Sequence, residues 1–408
     1  MPLTRRQIYL RRRSAVGAAL AVVLGAAFYL PLTLLAPLSP VTAQILPYAA
    51  PAAPVPALSF PAYGASAIGA VGFPGVLASS GTVDALPIAS ITKVITALVV
   101  LETKPIAAGE AGPEVRFSAA DEGFYNRQLA QNGSVHSVRS GQVMSQFQLL
   151  EVVLIASANN YAQSLVAWAF GSESAFLDAT RDWLAANGLT TTTITDASGI
   201  LPTNTSTASD LVELAKLAVA NPVVSQIMAM QNAEIPELGT IKNTNQLLGI
   251  DGVDGIKTGT LDEAGSCLLF SADYPIGSGA VTVVGVVLGG PDHDTIDANI
   301  RTLLAGVVSG FHEVPLVAAG HVFASYQTAW GERTDAVAAN NESVILWADT
   351  PITVLVQVAE LRLAEAGTDV GLATFTVGEQ TVMVTLELDS AIADPGPWWR
   401  LANPTELF

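Results

Sequence analysis

The sequence predicts a mixed α/β (α+β) fold in two pieces behind a membrane segment, and three observations predict it. Ser14 to Leu35 is one uncharged, mostly apolar run. Between about Ala65 and Phe311, helix-period runs and strand-like runs are mingled. Beyond Pro315 only strand-like runs separated by turn residues stand out, which reads as a small β-domain.

Taken in order, residues 1–43 read as a cytoplasmic basic tip followed by a transmembrane anchor or a signal peptide. Arg5, Arg6, Arg11, Arg12 and Arg13 precede the apolar run without any acid, which keeps that end in the cytoplasm and places the rest of the chain outside. The run suits the roughly 20 residues a span requires. Val41-Thr42-Ala43 resembles a peptidase site, so the protein is either a single-pass membrane protein or, if cleaved there, secreted. Residues 44–62, rich in Pro and Ala and uncharged, are expected to be a semi-extended spacer.

Residues 63–313 are expected to form the main domain and residues 314–408 the β-rich one. Ala65 to Val71 and Gly75 to Ser79 flank Gly72-Phe73-Pro74 as a hairpin. The run opening at Ile91 is rich in β-branched residues, so a helix there must be fixed by burial. Residues 114–143 are expected as short strands and loops. Leu149 to Ala156, Ala162 to Phe170, Ser174 to Asn187 and Ala208 to Val219 are expected as helices, with Asp210 in the first turn of the last, where an acid suits the helix dipole. Gly255 to Thr260, Cys267 to Ala272 and Val281 to Leu288 are expected as strands of one antiparallel sheet, with Thr302 to Val308 a helix packed back on it. In the last piece Ser343 to Ala348, Ile352 to Val358, Val370 to Val377 and Thr381 to Leu388 are expected strands, the final two joined at Gly378-Glu379. Pro395-Gly396-Pro397-Trp398-Trp399 shows no amphipathic pattern, which leaves the N-terminal segment as the only expected anchor; the two tryptophans are expected to pack on the β-domain.

The formal charge of −18 repels nucleic acid and excludes a nucleic-acid partner. The single cysteine, Cys267, lies in an apolar run and is expected to be a buried, inert thiol. Asp292-His293-Asp294 is expected to be a solvated loop rather than a metal site, because its donors crowd together and no other His-rich spacing supports them. No cofactor or metal is expected.

The chemistry centres on Ala89-Ser90-Ile91-Thr92-Lys93. On a helix Ser90 and Lys93 share a face within one turn, and a desolvated lysine can serve as the base that a serine nucleophile needs. Among the lysines only Lys93 has a serine three positions before it. Alone the pattern is weak, and a helix N-cap serine followed by a solvated lysine is the ordinary reading of it. Ser157-Ala158-Asn159 and then Lys257-Thr258-Gly259 come later in the chain, each occurring once, in an order shared by penicillin-binding proteins and class A β-lactamases.

With these motifs, and with Ser198-Gly199-Ile200, Ser206-Thr207-Ala208, Asn243-Thr244-Asn245 and Ala264-Gly265, the chain from about Tyr63 to Phe311 resembles the serine D-alanyl-D-alanine carboxypeptidases. These form the low-molecular-mass branch of the penicillin-binding proteins. The resemblance implies a β-lactamase/transpeptidase-like domain: a five-stranded antiparallel sheet between helices, with a helical subdomain. It implies that Ser90 is the acyl-enzyme nucleophile, Lys93 its base, Ser157 a proton relay to the leaving amine, and Asn159 a residue orienting Lys93 and the substrate amide. It further implies that Lys257 supplies positive potential, Thr258 binds a terminal carboxylate, Gly259 lets a substrate strand lie close, and the N–H groups of Ser90 and Thr260 form an oxyanion hole. The implied partner is a peptidoglycan stem peptide ending in D-Ala-D-Ala, with β-lactam antibiotics as covalent inhibitors. The resemblance departs at Ser209, where several relatives carry an arginine that helps hold the substrate carboxylate, which leaves D,D-endopeptidase action open. A β-lactamase-like hydrolase is a further alternative, although no Glu-x-x-Leu-Asn motif is present, and a non-catalytic wall-peptide sensor is another.

Overall fold

The computed structural model describes residues 4–51, 54–378 and 380–407. Helix α1 (Arg5–Leu34) starts at Thr4, whose side chain accepts from the Gln7 N–H in a capping box, and it is long and apolar enough to cross a membrane. Strand β1 (Gln44–Ile45) comes next, then β2 (Ala65–Ala70) and β3 (Ala78–Gly81), which form the expected hairpin. Helix α2 (Thr92–Thr103) is buried at every residue from Thr92 to Leu101, so burial holds a helix that its β-branched residues would not favour.

Helix α3 (Ala119–Ala130) corrects the expectation of strands and loops over 114–143. Its apolar pattern is faint, but Ser118 and Asp121 close a capping box at its start: the Asp121 carboxylate accepts from the Ser118 N–H at 2.7 Å. Helices α4 (Gln146–Leu154), α5 (Asn159–Phe170), α6 (Glu173–Ala186), α7 (Ala208–Ala220) and α8 (Pro222–Met228) complete the helical part. Asp210 lies in the first turn of α7, and its carboxylate accepts from the Thr191 N–H and the Thr192 hydroxyl.

Strands β4 (Val253–Leu261), β5 (Gly265–Ile276) and β6 (Gly279–Gly290) then join the hairpin in one antiparallel five-stranded sheet of order β4-β5-β6-β2-β3. Alternate side chains leave it in opposite directions. Leu269, Val284 and Val286 join the core of α2, α4, α5 and α7, while Phe270, Val283 and Val287 pack on Ile296, Ile300, Leu303 and Leu304 of α9 (His293–Val308). Cys267 is fully buried in β5, and burial pushes its thiol up to about 11.

Beyond the main sheet, Phe311–Val317 pairs with Glu342–Trp347. Strands β7 (Val322–Gln327), β8 (Arg333–Ala338), β9 (Ile352–Val358), β10 (Asp369–Val377) and β11 (Gln380–Leu388) form a six-stranded antiparallel sheet of order β1-β7-β8-β11-β10-β9. The turn expected at Gly378-Glu379 includes Glu379, which lies outside the described residues. The stretch 44–62 is not a free spacer at either end. Its first two residues cover the edge of β7, where an unpaired ladder would otherwise face solvent, and Leu58 and Phe60 pack on the core beside α9. Near the end of the chain lies helix α10 (Gly396–Ala402). Trp399 packs edge-on against Trp330, as expected, but Trp398 is 83% exposed, which corrects the expectation for that residue.

Candidate active site

Ser90 stands on a single 3-10 turn, Ala89–Ile91, that runs into α2. Ala89 has φ +45, a left-handed backbone that costs an alanine about 1–2 kcal/mol. Its carbonyl lies against Gly199, where a side-chain carbon would stand 1.9 Å from the Ala89 oxygen. Only glycine fits there, at φ +80. Gly259 answers a similar demand. A side chain on it would meet the Ile88 carbonyl at 3.0 Å and the Ser90 nitrogen at 3.3 Å, so its absence lets β4 run directly beside the Ser90 turn.

Lys93 is fully buried, with Nζ 2.8 Å from Ser90 Oγ and 2.7 Å from the Ser198 carbonyl to which it donates. Burial first, then the charge of Lys257, pushes this amine well below the usual lysine range, against an opposing pull from Asp196. Lys257 is also buried, and burial brings it down to about 7. Its ammonium reaches the Thr244 hydroxyl at 3.3 Å, which in turn meets the Thr258 hydroxyl at 2.5 Å. Ser157, at φ +58, occupies the break between α4 and α5 and delivers Asn159 to the first turn of α5. Asn159 Nδ2 donates to Gln128 Oε1 at 3.0 Å. A cleft of about 530 Å³ is lined by Ser90, Ser134, Asn159, Gly199 and Thr260 among others. The fold therefore brings Ser90 and Lys93 into contact, sets Asn159 and Thr260 around the same opening, and places Lys257 close enough to Lys93 to lower it. Ser209 lines a separate groove with Ser66 and Thr82.

Three participants escape motif reasoning. The buried Asp196 carboxylate accepts from Ser198 N–H at 2.6 Å, Ser198 Oγ at 2.8 Å, Gly199 N–H at 2.8 Å, Leu201 N–H at 3.0 Å and Asn204 Nδ2 at 2.5 Å. It thereby fixes the loop whose Ser198 carbonyl holds Lys93. The run Asp196-Ala197-Ser198-Gly199 carried that signal, since Asp two or three residues before Ser-Gly favours a side-chain-capped turn. Gln128 lies on α3, the helix whose pattern is faint. His293 corrects the expectation of a solvated Asp292-His293-Asp294 loop. Asp292 caps α9 by accepting from the Thr295 N–H at 2.7 Å, and this turns the His293 ring toward β4, with Nε2 2.7 Å from the Thr260 hydroxyl. Burial, then Lys257, lowers the His293 pKa. Among the described residues no cluster of three His, Cys, Asp or Glu is placed to hold a metal.

The sequence pattern of the D-alanyl-D-alanine carboxypeptidase family matches residues 74–292, more than half of the chain and most of the cleft-forming elements. The chain belongs to that family. It is of the low-molecular-mass penicillin-binding type, and it is 32% identical over 199 residues to a D-alanyl-D-alanine endopeptidase of Pseudomonas aeruginosa, covering 45% of this chain and 58% of that protein. It is 25% identical over 264 residues to the D-alanyl-D-alanine carboxypeptidase DacF of Bacillus subtilis, covering 63% of this chain and 65% of that protein. The chain thus spans less than two thirds of the length of either relative. The fold is shared with the crystal structure of a peptidoglycan synthesis regulatory factor from Streptococcus pneumoniae (TM-score 0.60, 23% identity, 80% of this chain and 98% of that one). It is also shared with the D-alanyl-D-alanine carboxypeptidase DacD of Francisella tularensis (TM-score 0.58, 18% identity, 85% and 98%).

Proposed function

We propose that the protein is a serine D,D-peptidase of peptidoglycan whose catalytic group is Ser90, acting chiefly as a carboxypeptidase on stem peptides ending in D-Ala-D-Ala. The observation that carries this reading is a fully buried lysine amine 2.8 Å from a serine hydroxyl, with its charge disfavoured by burial and by a second lysine. A neutral amine has two protons and one lone pair. It can donate to the Ser198 carbonyl and still accept the Ser90 proton as Oγ attacks the penultimate D-Ala carbonyl. The N–H groups of Ser90 and Thr260 receive the oxyanion, the stabilisation usually worth most in acyl transfer. As the C–N bond breaks, the proton returns through Ser157 to the leaving amine, and Asn159, held by Gln128, orients the substrate amide. Lys257 with Thr258 and Thr244 attracts the terminal carboxylate. Water attacking the acyl-enzyme with Lys93 as base releases the shortened peptide.

The same residues would take a β-lactam ring as a stalled acyl donor. The α1 segment would hold the enzyme at the outer face of the cell membrane. D,D-endopeptidase action is the second reading, supported by the 32% identity to the Pseudomonas endopeptidase. Mass spectrometry decides between them. Penicillin should leave an adduct on Ser90 that Ser90→Ala abolishes, and a D-Ala-D-Ala pentapeptide should lose one D-alanine. Release only from a crosslinked dimer would establish the endopeptidase, and no adduct at all would overturn both.

A further inference from the structure

The membrane helix does not end in a loose tether. A few residues past its last turn, Val41 is already bridged to Leu361 of the C-terminal domain, its N–H donating at 2.6 Å and its carbonyl accepting at 3.1 Å, and β1 then joins that domain's sheet. Helix α10 packs against the outer turns of α1. The Tyr29 hydroxyl donates to the Leu401 carbonyl at 2.7 Å, and the mostly buried Arg400 donates to the Ala36 carbonyl at 2.6 Å. Ala36, Leu38 and Leu407 share one small core with Trp330 and Trp399.

These contacts fix a depth. At about 1.5 Å per residue, Ser14 to Leu35 is about 33 Å long, close to the roughly 30 Å hydrocarbon thickness, so Leu35 lies at its outer boundary. Tyr29 is then about 9 Å inside that boundary and Ala36 just outside it. The α10 helix touches both. It therefore lies across the boundary between acyl chains and headgroups, the layer that tryptophan favours. Trp398, on this helix, is 83% exposed, with no protein surface among the described residues to cover it.

We infer that α10 and the end of α1 form one foot in the outer leaflet. Trp398 is embedded at the headgroup boundary, and the C-terminal β-domain rests on the lipid surface instead of being held away from it. The partner is the neutral boundary of the bilayer itself. The cation of α10, Arg400, is already paired with Asp394 at 2.6 Å and turned inward, so anionic lipid is not required.

This inference rests on α1 spanning the membrane, and the test separates the two. The full-length protein is reconstituted into phosphatidylcholine vesicles whose acyl chains carry bromine either near the headgroup or deep in the chain. Flotation with the vesicles reads α1. Tryptophan quenching, compared between wild type and W398F, reads α10. The expected result is flotation of both proteins, quenching of wild type that is stronger with shallow than with deep bromine, and loss of that shallow component in W398F. Flotation with equal quenching of the two proteins overturns the foot while leaving the anchor. Failure to float, with intact mass confirming residues 1–43, overturns both. Penicillin adduct formation by W398F serves as the folding control.

Discussion

The carboxylate of Asp196 is where the loop beneath Ser90 and Lys93 is most exposed to a one-atom change. Asp196→Asn keeps size and shape. Its amide oxygen can still face Ser198 and Gly199 through the position of Oδ1, but the NH2 then confronts the Leu201 N–H and Asn204 Nδ2; the first loses its acceptor and the second keeps only the Leu201 carbonyl at 2.9 Å. The full penalty falls only on the buried Asn204 amide, since Leu201 is 44% exposed and water can reach its N–H, so the expected destabilisation is about 1–3 kcal/mol. At roughly 2–4 °C per kcal/mol for a domain of this size, the melting temperature should fall by about 2 to 12 °C. The loop positions the Ser198 carbonyl that holds Lys93, and a shift of about 1 Å there should lower the rate of acylation by about 100-fold. The pH profile carries the sharper test. Asp196 opposes the lowering of Lys93, so removing its charge lowers that amine further. If Lys93 is the base proposed for acylation, its neutral form is the active one, and the acid limb of the rate profile should move to lower pH. The assay is fluorescent-penicillin acylation from pH 5 to 9 alongside thermal melts. An unchanged melting temperature, or an acid limb that moves upward, would refute the reasoning.

Lys257→Met should raise stability at pH 7 by about 2–4 kcal/mol while removing most acylation, because an apolar side chain replaces a buried charge. The folded pKa of about 7 lies below the usual 10.5, so the unfolded chain binds the extra proton between those values and the penalty is full below pH 7. The advantage of the Met variant in denaturant melts should therefore shrink as pH rises from 7 toward 10; a constant gap would contradict it. Gly133→Ala should cost about 10- to 100-fold in acylation, because the new methyl would stand 2.7 Å from Asn159 Nδ2 and 2.8 Å from Gln128 Oε1 and part that pair. Recovery of the full rate in a double variant with Gln128→Ala would argue that crowding alone is responsible. His293→Phe should raise KM for the peptide several-fold with little change in kcat, since the Thr260 hydroxyl loses its 2.7 Å partner while Ser90 and Lys93 are untouched; an equal loss in both would place His293 in the chemical step instead.

The features legible before folding are those that short-range order encodes. Ser90 and Lys93 are one helical turn apart, and their contact follows from spacing alone. Apolar periodicity announces α4 to α7, and alternation with β-branched residues announces the central strands and four strands of the C-terminal domain. Strands β7 and β8 escape that signal: on β8 the inward positions are filled by Thr334, Ala336 and Ala338, and small residues give little periodic contrast. Helix α3 escapes it because its cap, not its weak apolar face, marks it. Asp292-His293-Asp294 misleads because a run of polar residues looks alike as a solvated loop and as a helix cap.

The sequence by itself determined the chemical inventory: which serine has a lysine within one turn, which glycines and threonines accompany the second lysine, and where an apolar span begins. Tertiary structure alone decided what makes that inventory reactive and where it stands. Charge on Lys93 is disfavoured only because folding buries it completely and brings Lys257 near from a distant strand. The Ser198 carbonyl faces it only because Asp196 gathers five donors around one carboxylate. Helix α1 meets α10 only because a strand from one end of the sequence completes a sheet made at the other. Desolvation and long-range pairing depend on which residues become neighbours, and spacing along the chain does not carry that information.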